Sequence, residues 1–425
     1  MSSPHIAVIG GGTGGLGLAH ALHNAGISVS VHERHRVRTE RLQGYRVSLN
    51  PDGSRALSRC LSARRWQEFL DHCVEADYGD QVLTDTQLRE RLRLRAAPRK
   101  VVADRAEATN DIQRSTLQTL LASGLEDIVH YDQDFTRYEH LPNGQVRCHF
   151  ADGGSTVADL VVGADGGRSR VRAQLLPTAK RHDTGMFIVA GKYLLTEERA
   201  QNLPAQLRTG ITGALEMRGC SLMSMPIRQN KNGGVNDETY QHNPVLFDNT
   251  VDYLLWSYNA SPSHHPGLTR GADPHTLREL VGSLIADWHP GLRRMVADTE
   301  AETISLLPVH TADPVRPWPT TRVTLLGDAI HSMTPFLGLG AGTALRDARL
   351  LADRIIEVAN GGRDLLAAVG EYEREMLDYG FAAVADSRRA SRMFLADNAF
   401  ARLAFGAASR LLTAFPSLQQ KFVNQ

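Results

Sequence analysis

Cysteine is scarce in this chain. Cys60, Cys73, Cys148 and Cys220 are the four among 425 residues, and no two are spaced as a metal-ligand pair. That scarcity argues against a disulfide-stapled secreted scaffold and leads to the expectation of a reduced, cytoplasmic chain. His32 and His35 lie three apart at a strand end, where their side chains would face opposite ways, so no metal site is expected. Charge of one sign is also lacking: Lys+Arg 47 balances Asp+Glu 47, and nothing calls for nucleic acid or an acidic surface. No apolar run approaches the length of a membrane span, so no integral membrane association is expected. Internal repeats and low-complexity tracts are absent, and the first residues read as a strand and glycine loop rather than a cleavable leader. What remains is a globular composition, 42% hydrophobic, long enough for two packed domains and a tail.

Glycine is where the chain carries information. His5-Ile6-Ala7-Val8-Ile9 is an apolar, β-branched run and predicts a buried strand. Gly10-Gly11-Gly12-Thr13-Gly14-Gly15 follows at once, and Leu16, Ala19 and Leu22 or His23 then fall at helical spacing before Gly26, a C-cap. A second strand, Ile27–Val31, leads to Glu33, about twenty positions beyond the glycines. Each residue type has a reason. Gly10 permits a tight turn, Gly12 lets backbone approach a pyrophosphate, and Gly15 lets helix and strand pack closely. Unpaired N–H groups at the helix start face the phosphates, and Glu33 can accept hydrogen bonds from an adenosine ribose. A carboxylate there suits FAD or NAD and repels a 2′-phosphate. The fingerprint alone does not separate FAD from NAD.

Two later segments repeat the pattern. Ala158–Val162 is an apolar strand ending in Gly163-Ala164-Asp165-Gly166, and Arg322–Leu326 is another ending in Gly327-Asp328. After the third comes Pro335-Phe336-Leu337-Gly338-Leu339-Gly340-Ala341-Gly342, then Ala344, Ala348, Leu351 and Ile355 at helical spacing. A glycine loop again opens a helix whose N-terminus favours negative charge. Three such turns in this order point to bound FAD.

On these residues the chain resembles the class A flavoprotein monooxygenases, aromatic hydroxylases of the para-hydroxybenzoate hydroxylase fold. Gly10, Gly12, Gly15 and Glu33 match the first family motif, Asp165, Gly166, Ser169 and Arg172 the mid-chain motif, and Gly327, Asp328, His331, Pro335, Gly338, Gly340 and Asp347 the late one. Ile112–Leu117 is similar to the family's arginine segment. The resemblance spans roughly residues 5–360. It implies non-covalent FAD held by Gly10, Gly12, Thr13, Gly14 and Gly15 at the pyrophosphate. It also puts Glu33, with Arg34 beside it, at the adenosine ribose, Arg114 at the phosphate and ribityl side, and Asp328 at the ribityl chain. The Pro335, Gly340, Ala341 and Gly342 loop would abut the isoalloxazine, with Pro335, Gly338 and Gly340 next to the reaction. Asp165 is tied in the family to FAD and to NAD(P)H alike. The late loop departs from the family: Leu339 and Gly342 replace a glutamine and an asparagine, and Arg346 stands where glutamate is frequent. His331 reads as a structural hydrogen-bonding residue.

The expected fold is α/β, a Rossmann-like FAD-binding domain over 1–180 and 300–360, with a possible excursion near 76–100. An inserted antiparallel-sheet substrate domain over 181–299 would floor a pocket above the flavin, and helices would occupy 361–425. Met186–Ala190, Cys220–Met225 and Val251–Tyr258 read as strands, and Gln229–Gln241 as a loop. Arg89, Arg91, Arg93 and Arg95 alternate with leucines. They make either a charged edge strand or a patch for an anionic substrate or NADPH phosphate.

No second complete glycine fingerprint is present, so NAD(P)H is expected as a transient co-substrate. The resemblance implies that reduced flavin and O2 give a C4a-hydroperoxide, which hydroxylates or epoxidises a small aromatic or polyketide-like metabolite. Arg46, Tyr193, Arg218, Tyr258 and His310 are pocket candidates; the sequence identifies no catalytic base. A flavin reductase without oxygen insertion and a non-catalytic sequestering flavoprotein share the same motifs. Halogenase chemistry is disfavoured, because Trp256 is followed by Ser257-Tyr258 rather than a spaced tryptophan. Monomer and homodimer both stay open.

Overall fold

In the computed structural model the described residues are 4–36, 45–75, 79–95, 102–216, 219–229, 251–264 and 272–395. They divide into two compact units. One takes its residues from Met1–Glu75, Val102–His182 and His310–Arg388, the other from Ala76–Val101, Asp183–Val309 and Arg389–Gln425.

The first unit is built on a five-stranded sheet. Its order is Val323–Leu325, Leu160–Gly163, Ile6–Ile9, Val29–His32 and Val129–His130, and every pairing is parallel. Ile6, Ala7 and Val8 are wholly buried, as are Leu160, Val161 and Val162. Such unbroken apolar runs are what a parallel sheet covered on both faces demands. Each of the three glycine motifs leaves the C-terminal end of one of these strands, the crevice where open α/β sheets bind ligands. The thirty-residue helix Leu365–Phe394 corrects the expected boundary at 360. Its Tyr372 and Met376 are fully buried in the first unit's core, and Tyr372 OH donates to Leu325 O at 2.8 Å. Residues 361–388 are therefore part of this unit, not a separate helical region, while 300–309 go with the second.

The second unit carries a seven-stranded sheet ordered Ser305–Ala312, Arg181–Leu194, Tyr253–Ala260, Cys220–Ile227, Ile211–Leu215, Gln81–Thr84 and Glu90–Leu94. It is mixed rather than antiparallel throughout, because Ile211–Leu215 pairs with Gln81–Thr84 in parallel. One face supplies Phe187, Val189, Tyr193, Leu222, Leu254, Trp256 and Tyr258 to a core shared with helices Pro274–Leu284 and Pro290–Ala297. Residues of the other parity point to the opposite face. Register there sets Ile188 and Ser221 on either side of Asn259, and Ala190 and Met223 on either side of Ser257. Glu90–Leu94 is indeed the sheet edge: Arg91 pairs with Asp85 at 2.7 Å, and Arg93 with Glu90 at 2.6 Å and Asp80 at 3.1 Å. Of the loop Gln229–Gln241, all but Gln229 lies outside the described residues.

Candidate cofactor site

The first glycine loop is sterically obligatory. Gly10 has φ +112°, and a Cβ there would sit 2.4 Å from Ala164 O; a Cβ on Gly15 would sit 2.1 Å from Gly10 O. No L side chain fits either place. Gly12 is the extended N-cap of helix Thr13–Asn24, solvent-exposed, with nothing within 4 Å of a built Cβ. That helix has no side-chain cap and no acid in its first turn, so its N–H groups and positive end stand uncompensated. Glu33 is fixed beside the loop: Oε2 accepts from Gly11 N at 2.7 Å and Oε1 from His35 N at 3.0 Å. Arg34 next to it is exposed. Gln118, which sequence reasoning missed, donates to Gly11 O at 2.6 Å and steadies the loop from helix Arg114–Ala122.

Arg114 opens that helix, its N–H held by Tyr45 O at 3.1 Å. The side chain is open to solvent yet surrounded by protein, the signature of a cleft wall. Desolvation pushes its pKa down, and the negative charge of Asp328 opposes that. Asp328 is likewise exposed and follows Gly327, whose φ of +62° needs glycine. A buried carboxylate sets this turn. Asp347 Oδ2 accepts from Gly327 N at 2.7 Å and from His331 Nε2 at 2.7 Å, and its Oδ1 accepts from Tyr379 OH at 2.5 Å.

The loop Pro335–Gly338 is exposed, with Leu337 45% accessible. It leads to helix Gly340–Ala359, again with neither side-chain cap nor acid in the first turn. The family's asparagine is missing at Gly342 for a reason: a Cβ there would lie 2.8 Å from Asn50 Oδ1. Asn50, which caps helix Pro51–Cys60 through Gly53 N at 3.0 Å, occupies that space with its own amide. Arg346 lies over the Tyr379 ring, 3.8 Å from its centroid.

In the mid-chain motif, Asp165 Oδ2 accepts from Arg170 N at 2.7 Å and Val171 N at 3.3 Å, while Oδ1 is buried without a partner. Burial pushes its pKa up, and these hydrogen bonds oppose the shift. Ser169 caps the following helix through Arg172 N at 2.8 Å, and the Arg172 guanidinium donates to Ala329 O at 2.7 Å, joining the mid-chain and late motifs.

The pocket candidates fare differently. Arg46 is a nearly buried ion-pair partner of Asp111. Tyr258 points into the second unit's core, against Phe187 and Trp288 at 6.2 and 6.3 Å, and Tyr193 lies on the same core face. His310 is half-buried in strand Ser305–Ala312, and Arg218 lies outside the described residues. Ser221 of strand Cys220–Ile227, and Ser257 and Asn259 of strand Tyr253–Ala260, lie on the face away from that core. Among the described residues no group of three His, Cys, Asp or Glu is placed to hold a metal.

Residues 4–230 and 275–387 match the model of the FAD binding domain. The chain belongs to this FAD-binding family, and its cofactor is FAD. It is 28% identical to the dual O-methyltransferase/FAD-dependent monooxygenase elcB of Phaeosphaeria nodorum over 94% of the chain and 47% of that protein. The chain thus spans about half the length of this curated relative. The 3-amino-4-hydroxybenzoate 2-monooxygenase PtmB3 of Streptomyces platensis is 30% identical over 82% of the chain and 79% of its own length. A solved candidate FAD-containing monooxygenase from Photorhabdus luminescens superposes with TM-score 0.81 at 31% identity, covering 92% of this chain and 99% of that one.

The FAD-binding unit itself fits the cofactor. Two uncapped helix starts, the exposed and electrostatically coupled Arg114 and Asp328, and the buried Asp165 Oδ1, which has no hydrogen-bond partner, lie within one unit.

Proposed function

We propose that the chain is an FAD-dependent monooxygenase that uses NAD(P)H and O2 to hydroxylate or epoxidise a small aromatic or polyketide-like metabolite in the cytoplasm. The observation that carries this reading is the FAD-binding unit, with relatives named as monooxygenases, one of them for an aminohydroxybenzoate. Bound FAD supplies the two-electron and oxygen chemistry.

The chain's own residues bind and orient. Gly12 and the open start of helix Thr13–Asn24 receive the pyrophosphate, Glu33 the ribose hydroxyls, Arg114 a phosphate and Asp328 the ribityl hydroxyls. The positive end of helix Gly340–Ala359 stabilises negative charge on the flavin edge, and exposed Leu337 helps keep water away. We assign substrate contact to the sheet face bearing Ile188, Met223, Ser221, Ser257 and Asn259, since Tyr193 and Tyr258 face the core. Apolar side chains flanking a few hydroxyl and amide groups suit a ring with polar substituents.

The test is a panel of phenols, naphthols and aminohydroxybenzoates added to the FAD-loaded protein while NADH and NADPH oxidation is followed. At least one compound should accelerate oxidation, and Asn259→Leu should raise its KM without loss of flavin. A panel that leaves the flavin inert to both nucleotides would contradict the proposal.

A further inference from the structure

Asn50 stands at the start of helix Gly340–Ala359 with half of its amide unused. It follows strand Arg46–Leu49, whose Leu49 is wholly buried, and opens helix Pro51–Cys60. Its main-chain O accepts from Ser54 N at 2.9 Å and its side-chain Oδ1 from Gly53 N at 3.0 Å, so the side chain is fixed with its acceptor engaged. Asn50 is half-buried, and its Nδ2 has no hydrogen-bond partner among the described residues and is not sealed from solvent. Two N–H donors are left over.

They lie against further unpaired donors. Asn50 Oδ1 is 2.8 Å from where a Cβ on Gly342 would stand, and Gly53 Cα is 3.5 Å from it. Gly342 is in the first turn of helix Gly340–Ala359, which has neither side-chain cap nor acid there, so its leading N–H groups also lack partners. A carboxylate at position 50 would cap one helix and offset the positive end of the other. The chain carries an amide instead. That choice keeps an acceptor for helix Pro51–Cys60 and adds donors where the late loop has no amide of its own at Gly342.

We propose that Asn50 contacts the flavin, its Nδ2 donating to the N1–C2=O edge of the isoalloxazine in place of the side-chain amide that position 342 lacks. This rests on FAD lying at the start of helix Gly340–Ala359, as read above. Negative charge gathers on that edge when the flavin is reduced, so the donor favours the reduced form.

The test moves the amide back to the loop. Asn50→Gly retains most of the capping and clears the space beside Gly342. Fluorescence titration of the apoprotein should show oxidised FAD bound about tenfold more weakly. Reduced FAD should be weakened about a hundredfold, so the midpoint potential falls by about 30 mV. Adding Gly342→Asn to Asn50→Gly should restore affinity and potential, whereas Gly342→Ala in that background, which fills the space without an amide, should restore neither. Asn50→Asp keeps the cap, so the FAD-free protein should melt no lower while the potential still falls, a split that a purely structural role does not give. Unchanged affinity and potential in Asn50→Gly and Asn50→Asp, or equal rescue by Ala and Asn at position 342, would overturn the assignment and leave the cofactor site standing. An apoprotein that takes up no FAD would overturn it together with the reading it rests on.

Discussion

A guanidinium open to solvent, yet pushed towards its neutral form by the protein around it, is poised for an anion. Arg114 is that residue, and only Asp328 offsets its desolvation. Because the side chain is solvent-exposed in the FAD-free protein, Arg114→Ala should leave its melting temperature nearly unchanged. Flavin affinity should fall about tenfold to a hundredfold, the worth of one charge-assisted hydrogen bond. Fluorescence titration with FAD reads the difference, and unchanged affinity would remove Arg114 from the site. Gly15→Ala is harsher. Its Cβ would strike Gly10 O at 2.1 Å, so the purified variant should be colourless even if folded.

His331 gives a pH-dependent readout. Burial alone would lower its pKa, but the Asp347 carboxylate, helped by Asp328, more than reverses this, and the net shift is upward. A folded pKa above the unfolded value of about 6.5 means the pair's stabilisation is complete below that pH. It is lost as pH rises through the folded value. Urea unfolding at about pH 6 and about pH 9 should show this loss in the wild type, and Asp347→Asn should abolish the difference. An identical slope in both proteins would sink the assignment.

At the scale of elements, the helix Leu365–Phe394 is tied to the parallel-sheet strand Val323–Leu325 by the Tyr372 hydroxyl and by Glu373 Oε1, which accepts from Thr324 Oγ1 at 2.9 Å. Tyr372→Phe removes its bond to Leu325 O and should cost about 1 kcal/mol in chemical denaturation while the flavin stays bound. Losing the Asn50 cap should cost a similar ~1 kcal/mol. These elements also mark how far sequence alone reaches. The strand–glycine–helix motifs are legible because each residue answers a local steric need, as Gly10 and Gly15 do. The placement of the long helix is not, since it depends on a contact between residues 325 and 372. Nor is the face of Tyr258: in Tyr253–Ala260 both parities carry apolar residues, and only neighbouring helices decide which side becomes core. Asn50 was invisible for a related reason. Its amide meets Gly342 only once two distant segments are folded together.

For the whole molecule, the two units divide the work: one is spent on holding a nucleotide cofactor, the other on a sheet with one packed face and one mixed face. Among the described residues no helix is long and apolar enough to cross a membrane, and Cys60, Cys73, Cys148 and Cys220 are all buried thiols, none of them in a disulfide. Burial pushes the thiols of Cys60 and Cys148 up to about 12 and those of Cys73 and Cys220 up to about 11, so none is a nucleophile near neutral pH. The decisive measurement is mass spectrometry of the product formed from an accepted aromatic under 18O2 with NAD(P)H. One labelled oxygen atom per product molecule, with one nucleotide oxidised, is the predicted result. An unlabelled product, or the same product made under strict anaerobiosis, would contradict it.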